Sequence, residues 1–304
     1  MNQVHICEVG PRDGLQNAHQ MMPTEAKKEW ISALAAAGLK EIEVGSFVPP
    51  KLIPAMADTD QVVKHALSIP GLKVMALAPN VKGFERAVAA GAHKVGFPVS
   101  ASRAHSESNV RMTPEQMVEQ VRRCAEMGGA EIEGAVATAF GCTIQGAVPE
   151  DDVVRIAVAL AEFCDCVALA DTVGYANPAQ VKRIFRRVRN EIGEKLEGAH
   201  FHNTRGLGIA NALAAYEEGV RSFDSSMGGL GGCPFAPGAS GNVITEDLVF
   251  MFESMGVRTG IDLEKLFEAR KVLVKGLPGE PIYGHISEAG LPKGFRVGGI
   301  NTSA

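Results

Sequence analysis

The chain has 304 residues, 46% hydrophobic and 21% charged, with 30 Lys+Arg against 35 Asp+Glu for a net charge of −5. Disorder is excluded by that composition, and the length allows one large domain or two ordinary ones. A mild acidic excess with no basic run argues against nucleic-acid or membrane-surface binding, and no apolar stretch reaches the ~18 residues of a spanning helix.

Along the chain, short runs of strand character alternate with helical patterns. The first run, VHICEV, leads directly into GPRDGLQN, which places Arg12 and Asp13 just past a strand end. EIEVGSF, KVMALAP and HKVGFPV read as strands two to four, with Glu43 inside the second. After SASRAHSESNVRM, the residues Thr113, Pro114 and Gln116 supply a helix cap, a first helical position and a capping-box partner. EIEGAVATAF reads as strand five, and CVALADT as strand six, closing on Asp171. Asn177, Pro178 and Gln180 repeat the helix opening. Val181, Ile184, Phe185 and Val188 then fall at i, i+3, i+4, i+7, an apolar stripe for one helix face. AHFHN and RSFDSS complete eight strands.

Eight strand–helix units in ~250 residues favour an α/β fold of the (β/α)8 TIM-barrel type over an open doubly wound sheet. No composition break marks a second domain. The expected organisation is a catalytic barrel over 1–275 and a short Gly/Pro-rich C-terminal extension over 276–304, without a core of its own. The opening residues carry neither a secretory nor a transit signature, so a cytoplasmic protein is expected. Six cysteines and no CxxC argue against a disulfide scaffold and the common zinc patterns.

In such a barrel, chemistry belongs at the C-terminal ends of the strands. His200-Phe201-His202 is the sharpest signal: with a side-chain period of two, both imidazoles face the barrel mouth and Phe201 faces the helices. A lone His-x-His is equally at home as a hydrogen-bonded core pair. Barrel closure, however, makes strands seven, eight and one contiguous, so Asp13 and Asn242 can join the two histidines. Two imidazoles, a carboxylate and an amide oxygen suit Mg²⁺ or Mn²⁺ better than a closed structural zinc. The stretch GGLGGCPFAPGASGN, from Gly228 to Asn242, reads as a wide loop carrying Cys233 over the mouth, and it lacks the pattern of a phosphate-binding loop. Glu43 and Asp171 end strands as candidate bases or ligand-orienting groups, with helix capping the rival reading for Asp171. Arg12 is a candidate oxyanion partner or a salt bridge across the mouth.

EVGPRDGLQN, EIEVGSFVPPKLIPAMAD, ALADTVGYANP, HFHNTRG and GLGGCPFAPGASGNVITEDLV together resemble the 3-hydroxy-3-methylglutaryl-CoA lyase family, over about Ile6 to Gly260. Arg-Asp-Gly and His-x-His are shared by metal-dependent lyases and synthases, and the GLGGCP loop marks the lyase branch. The resemblance implies Asp13, His200, His202 and Asn242 as cation ligands, Arg12 as a catalytic and substrate-contacting arginine, and Cys233 as the catalytic loop cysteine. It further implies that Glu43, Asp171, Gln16 and Ser46 support or contact the substrate, with Glu246 following the loop. Arg103 and Arg111, in a segment similar to the loop that meets the CoA diphosphate, are implied as cationic contacts. An acyl-CoA substrate, a homodimer or higher homo-oligomer and a place in leucine breakdown are family expectations.

Asn203 and Arg205 stand where animal members have aspartate and tyrosine, and SSMGG departs from the usual residues before LGGCP. Cleavage of another 3-hydroxyacyl-CoA such as citramalyl-CoA, condensation as in isopropylmalate and homocitrate synthases, and a non-catalytic CoA- or metal-binding barrel are the alternative readings. For the proton acceptor, His200 and Asp171 both remain open.

Overall fold

A computed structural model describes residues 3–231 and 241–296. Its eight strands are β1 (His5–Glu8), β2 (Glu41–Ser46), β3 (Lys73–Leu77), β4 (Lys94–Ser100), β5 (Glu131–Ala137), β6 (Cys166–Asp171), β7 (Leu196–Phe201) and β8 (Ser222–Ser225). They close into a barrel in sequence order, each parallel to its neighbours, with Cys7 of β1 opposite Asp224 of β8 at the seam. The helices are α1 (Thr24–Ala36), α2 (Thr59–Ala66), α3 (Val81–Ala90), α4 (Arg103–Val110), α5 (Pro114–Met127), α6 (Glu150–Ala161), α7 (Pro178–Ile192), α8 (Gly208–Glu217), α9 (Thr245–Ser254), α10 (Leu263–Gly276) and α11 (His285–Ala289). The expected (β/α)8 barrel is therefore the fold, with α10 packed on α1 to complete the outer ring.

Alternation along the strands sorts residues between the barrel interior and the layer beneath the helices. Phe201 lies in the outer layer, its ring 5.9 Å from Phe140 and 6.2 Å from Phe185 of α7, centroid to centroid. Burying one such phenyl stabilises the fold by ~2–3 kcal/mol, which fixes the facing of β7 and turns the flanking histidines inward. At the opposite end of the barrel the interior is ionic rather than apolar. Lys94 sits between Glu41, at 3.1 Å, and Glu133, at 2.6 Å.

Two local expectations are corrected. The run EIEGAVATAF does not continue as one strand, because Thr138 adopts φ +55° and ends β5 at Ala137. Buried Thr138 accepts the Ser102 N–H at 3.0 Å and donates its own N–H to Thr172 Oγ1 at 2.8 Å. It thereby stitches three loops together at the mouth. At α7, Asn177 caps the Gln180 N–H at 3.1 Å as read, but the Gln180 amide donates to the Phe140 carbonyl instead of closing a capping box. Thr113 and Gln116 do form the full box.

Beyond α10 the chain turns back over the β1 and β8 ends. Leu277 is buried with the main core, Tyr283 N–H donates to Gly228 O at 2.8 Å, and α11 rests on α9.

Candidate metal centre

At the end of β1 the chain winds into a tight turn, Gly10–Gly14, in which the Arg12, Asp13 and Gly14 N–H groups all converge on Val9 O. Gly10 is required there, since a Cβ would come 2.5 Å from Glu8 Oε1. The turn aims Asp13 at β7, where the rings of His200 and His202 lie 5.2 Å apart. One donor atom from each of Asp13, His200 and His202 falls within 4.8 Å of the others. Asn242 reaches the same point because its backbone bridges to His202, and its Nδ2 donates to Asp13 Oδ2 at 2.7 Å and to Leu230 O at 3.1 Å. The four residues that the sequence scatters over 230 positions thus meet at the barrel mouth.

The donor set fits a divalent cation. Asn242 Oδ1 and His202 Nδ1 are buried without a hydrogen-bond partner, a costly state for a polar atom and one that a bound ion relieves at the amide oxygen. All donors are nitrogen or oxygen, the preference of a hard or borderline ion.

Arg12 flanks the cluster, its Nη1 2.6 Å from Asp13 Oδ1 and its Nε 2.6 Å from Glu43 Oε2. Burial opposes the Arg12 charge, but Glu43 and Asp13 outweigh it and hold the guanidinium pKa above its ordinary value. Burial also works against the Asp13 carboxylate, yet Arg12 and then His202 hold it well below the usual range. Glu43 is pushed up to about 7 by burial, with Arg12 pulling the other way. Asp171 caps its own turn: its carboxylate accepts the Tyr175 and Ala176 N–H groups at 2.9 and 3.0 Å, while burial raises its pKa. Helix capping, the rival reading for Asp171, is overturned: Asn177 caps α7, and Asp171 holds only the turn before it, close enough to His202 and His200 for their charges to act on its carboxylate.

Ser46 is buried at the end of β2, its backbone tied to Thr59 and its Oγ without a partner. Gln16 is half-buried just past the Gly10–Gly14 turn. Arg103 is exposed and paired with Glu115 at 2.8 Å, and exposed Arg111 caps α4 with φ +58°. Buried Glu246 accepts from Gly228 N at 3.0 Å and pairs with Arg270 at 2.7 Å. Cys233 lies outside the described residues.

Two acids escaped the sequence reading. Asp224 of β8 meets His200 Nδ1 at 3.0 Å. Glu8, buried at the end of β1, accepts from Gly10 N, Met227 N and Thr245 Oγ1 at 2.9, 2.9 and 2.6 Å, linking the Asp13 turn to the turn after β8. The only cue for Asp224 was an acid on the inward phase of RSFDSS, and for Glu8 an acid closing an apolar strand.

The sequence profile of the HMGL-like family matches residues 3–273. This chain belongs to the HMGL-like family. It is 41% identical to a hydroxymethylglutaryl-CoA lyase of Pseudomonas mevalonii, over 87% of this chain and 89% of that one. Against a hydroxymethylglutaryl-CoA lyase of Bacillus subtilis it is 40% identical, covering 92% and 95%. A solved HMG-CoA lyase from Acinetobacter baumannii, in complex with coenzyme A and 3-methylmalate, superposes with a TM-score of 0.90 at 42% identity, over 97% of each chain. The family resemblance carried by the motifs is borne out, and the chain stands with carbon–carbon lyases. Among the described residues no helix is long and apolar enough to cross a membrane.

Proposed function

We propose that the protein cleaves 3-hydroxy-3-methylglutaryl-CoA to acetyl-CoA and acetoacetate, using Mg²⁺ or Mn²⁺ held by Asp13, His200, His202 and Asn242. The carrying observation is the convergence of those four side chains beside Arg12 in a chain of this family. When bound, the cation supplies Lewis-acid polarisation of the tertiary C3 hydroxyl, lowering its pKa. Asp171 accepts that proton: His200 spends Nδ1 on Asp224 and Nε2 as ligand, which leaves its ring no free lone pair. The C2–C3 bond then breaks, its electron pair passing into the thioester enolate as the ketone forms. Arg12, aimed by Glu43, stabilises the enolate oxygen; such a charged donor is worth ~3–4 kcal/mol of barrier. Cys233 protonates the enolate carbon.

The named relatives, rather than the departures at Asn203 and Arg205, favour this substrate over citramalyl-CoA; the contacts of those two side chains are structural. Asn203 Oδ1 accepts the Gly208 N–H at 2.9 Å. Arg205 stacks on Tyr175 at 4.4 Å and donates to the Val173 and Gly174 carbonyls. The same reading makes the enzyme a cytoplasmic homodimer or higher homo-oligomer in leucine breakdown, with Gln16, Ser46, Arg103 and Arg111 as substrate contacts. The test offers metal-stripped protein 3-hydroxy-3-methylglutaryl-CoA and citramalyl-CoA, with and without Mg²⁺ or Mn²⁺, and identifies the keto acid. Acetoacetate appearing only with metal is expected; pyruvate, or no product, would refute the assignment.

A further inference from the structure

The two histidines of the cluster are not equivalent. The register of β7 against β8 sets His200 opposite Asp224, so that both side chains point into the barrel from adjacent strands. His200 Nδ1 and Asp224 Oδ2 lie 3.0 Å apart. His202 Nδ1, by contrast, is buried without a partner. Among the described residues, His200 is the only side-chain hydrogen-bond partner of the Asp224 carboxylate.

An imidazole has two nitrogens, and a neutral ring carries its proton on one of them. A carboxylate can only accept, so Asp224 draws the proton to Nδ1 and leaves the Nε2 lone pair for an ion. The bond also stops the ring rotating about its χ2 torsion. Asp224 does not face inward for apolar packing: its charge works against Cys7, Glu43 and Glu133, whose pKa values it helps to raise, and supports the Arg12 charge. Its one hydrogen-bond partner among the described residues is the His200 imidazole, and that contact is what its inward placement delivers.

We propose that Asp224 is the positioning residue of the metal centre, fixing the tautomer and orientation of His200 so that Nε2 addresses the cation. The assignment rests on the metal-centre reading above and adds a residue to it. It also explains the asymmetry of the pair: His200 is held from behind by a side chain, while His202 is held through its backbone, by its bridge to Asn242.

The test compares Asp224→Ala with Asp224→Asn, titrating each with Mn²⁺ and following free Mn²⁺ by electron paramagnetic resonance without substrate. Losing a carboxylate behind a ligating histidine weakens metal binding by about 10–100-fold, which is the expectation for Asp224→Ala. Asparagine still offers an oxygen to Nδ1–H, so Asp224→Asn should lose several-fold less. A purely structural role would instead lower the melting temperatures and leave Mn²⁺ affinity intact. Wild-type Mn²⁺ affinity in Asp224→Ala, or equal losses in the two variants, would overturn the proposal. A wild type that binds Mn²⁺ yet leaves 3-hydroxy-3-methylglutaryl-CoA uncleaved, with the two variants ranked as expected, would refute the proposed function and uphold this one. A wild type that binds no Mn²⁺ would refute both.

Discussion

Gly231 offers a way to disturb the proposed centre without touching any ligand. Its φ is +100°, and a Cβ placed on it would lie 2.6 Å from Asn242 Nδ2, 3.3 Å from Asp13 O and 3.4 Å from Asp13 Oδ2. Gly231→Ala therefore carries two costs. The left-handed backbone strains any L side chain by ~1–2 kcal/mol, and the 2.6 Å approach forces the Asn242 amide to move, taking with it the bond to Asp13. Gly71 separates the two costs, since its φ is +75° but a Cβ there meets nothing within 4 Å. Both variants should lose ~1–2 kcal/mol of stability from strain, a fall in Tm of about 2–8 °C for a domain of this size. Only Gly231→Ala should lose Mn²⁺ affinity, by about tenfold or more, equivalent to about 1.4 kcal/mol or more. Differential scanning calorimetry and Mn²⁺ titration by electron paramagnetic resonance measure the two effects separately. If Gly231→Ala binds Mn²⁺ as Gly71→Ala does, Asn242 and Asp13 do not hold the ion together.

Glu8 gives a pH signature. Burial, opposed by its three hydrogen bonds, lifts its pKa from 4.5 to about 8, so its contribution to stability is full below 4.5 and is lost as pH rises toward 8. Between those limits the loss runs at about 1.4 kcal/mol per pH unit, and urea unfolding at several pH values should show Glu8→Gln with a shallower decline than wild type; parallel curves would remove Glu8 as the source. Arg270→Met leaves buried Glu246 without its cation and should cost about 3 kcal/mol in urea unfolding, where no loss would mean that Glu246 finds another partner. Cys233→Ala should cut turnover at least tenfold with Mn²⁺ affinity unchanged, and normal turnover would remove the cysteine from the proton path.

The barrel was legible because most of its eight strands carry a short apolar run, and the openings of α5 and α7 carry clear cap residues in Thr113 and Asn177; the one strand read too long ends at a strained Thr138 that no propensity marks. The convergence of Asp13, His200, His202 and Asn242 followed from closure of the barrel, a topological fact that sequence period supplies. What escaped were residues whose meaning depends on register. Asp224 looks like any polar residue of RSFDSS until β7 and β8 align it with His200, 24 positions away. Glu8 reads as a strand end, and only the return of the chain after β8 brings it the Met227 and Thr245 donors.

The most direct test of the central claim is electron spin-echo envelope modulation of the Mn²⁺-loaded protein, which counts nitrogen ligands on the bound ion. One ion per chain coupled to two histidine nitrogens is predicted, falling to one nitrogen in His202→Ala. A bound Mn²⁺ with no histidine nitrogen coupling, or a spectrum unchanged by that substitution, would contradict it.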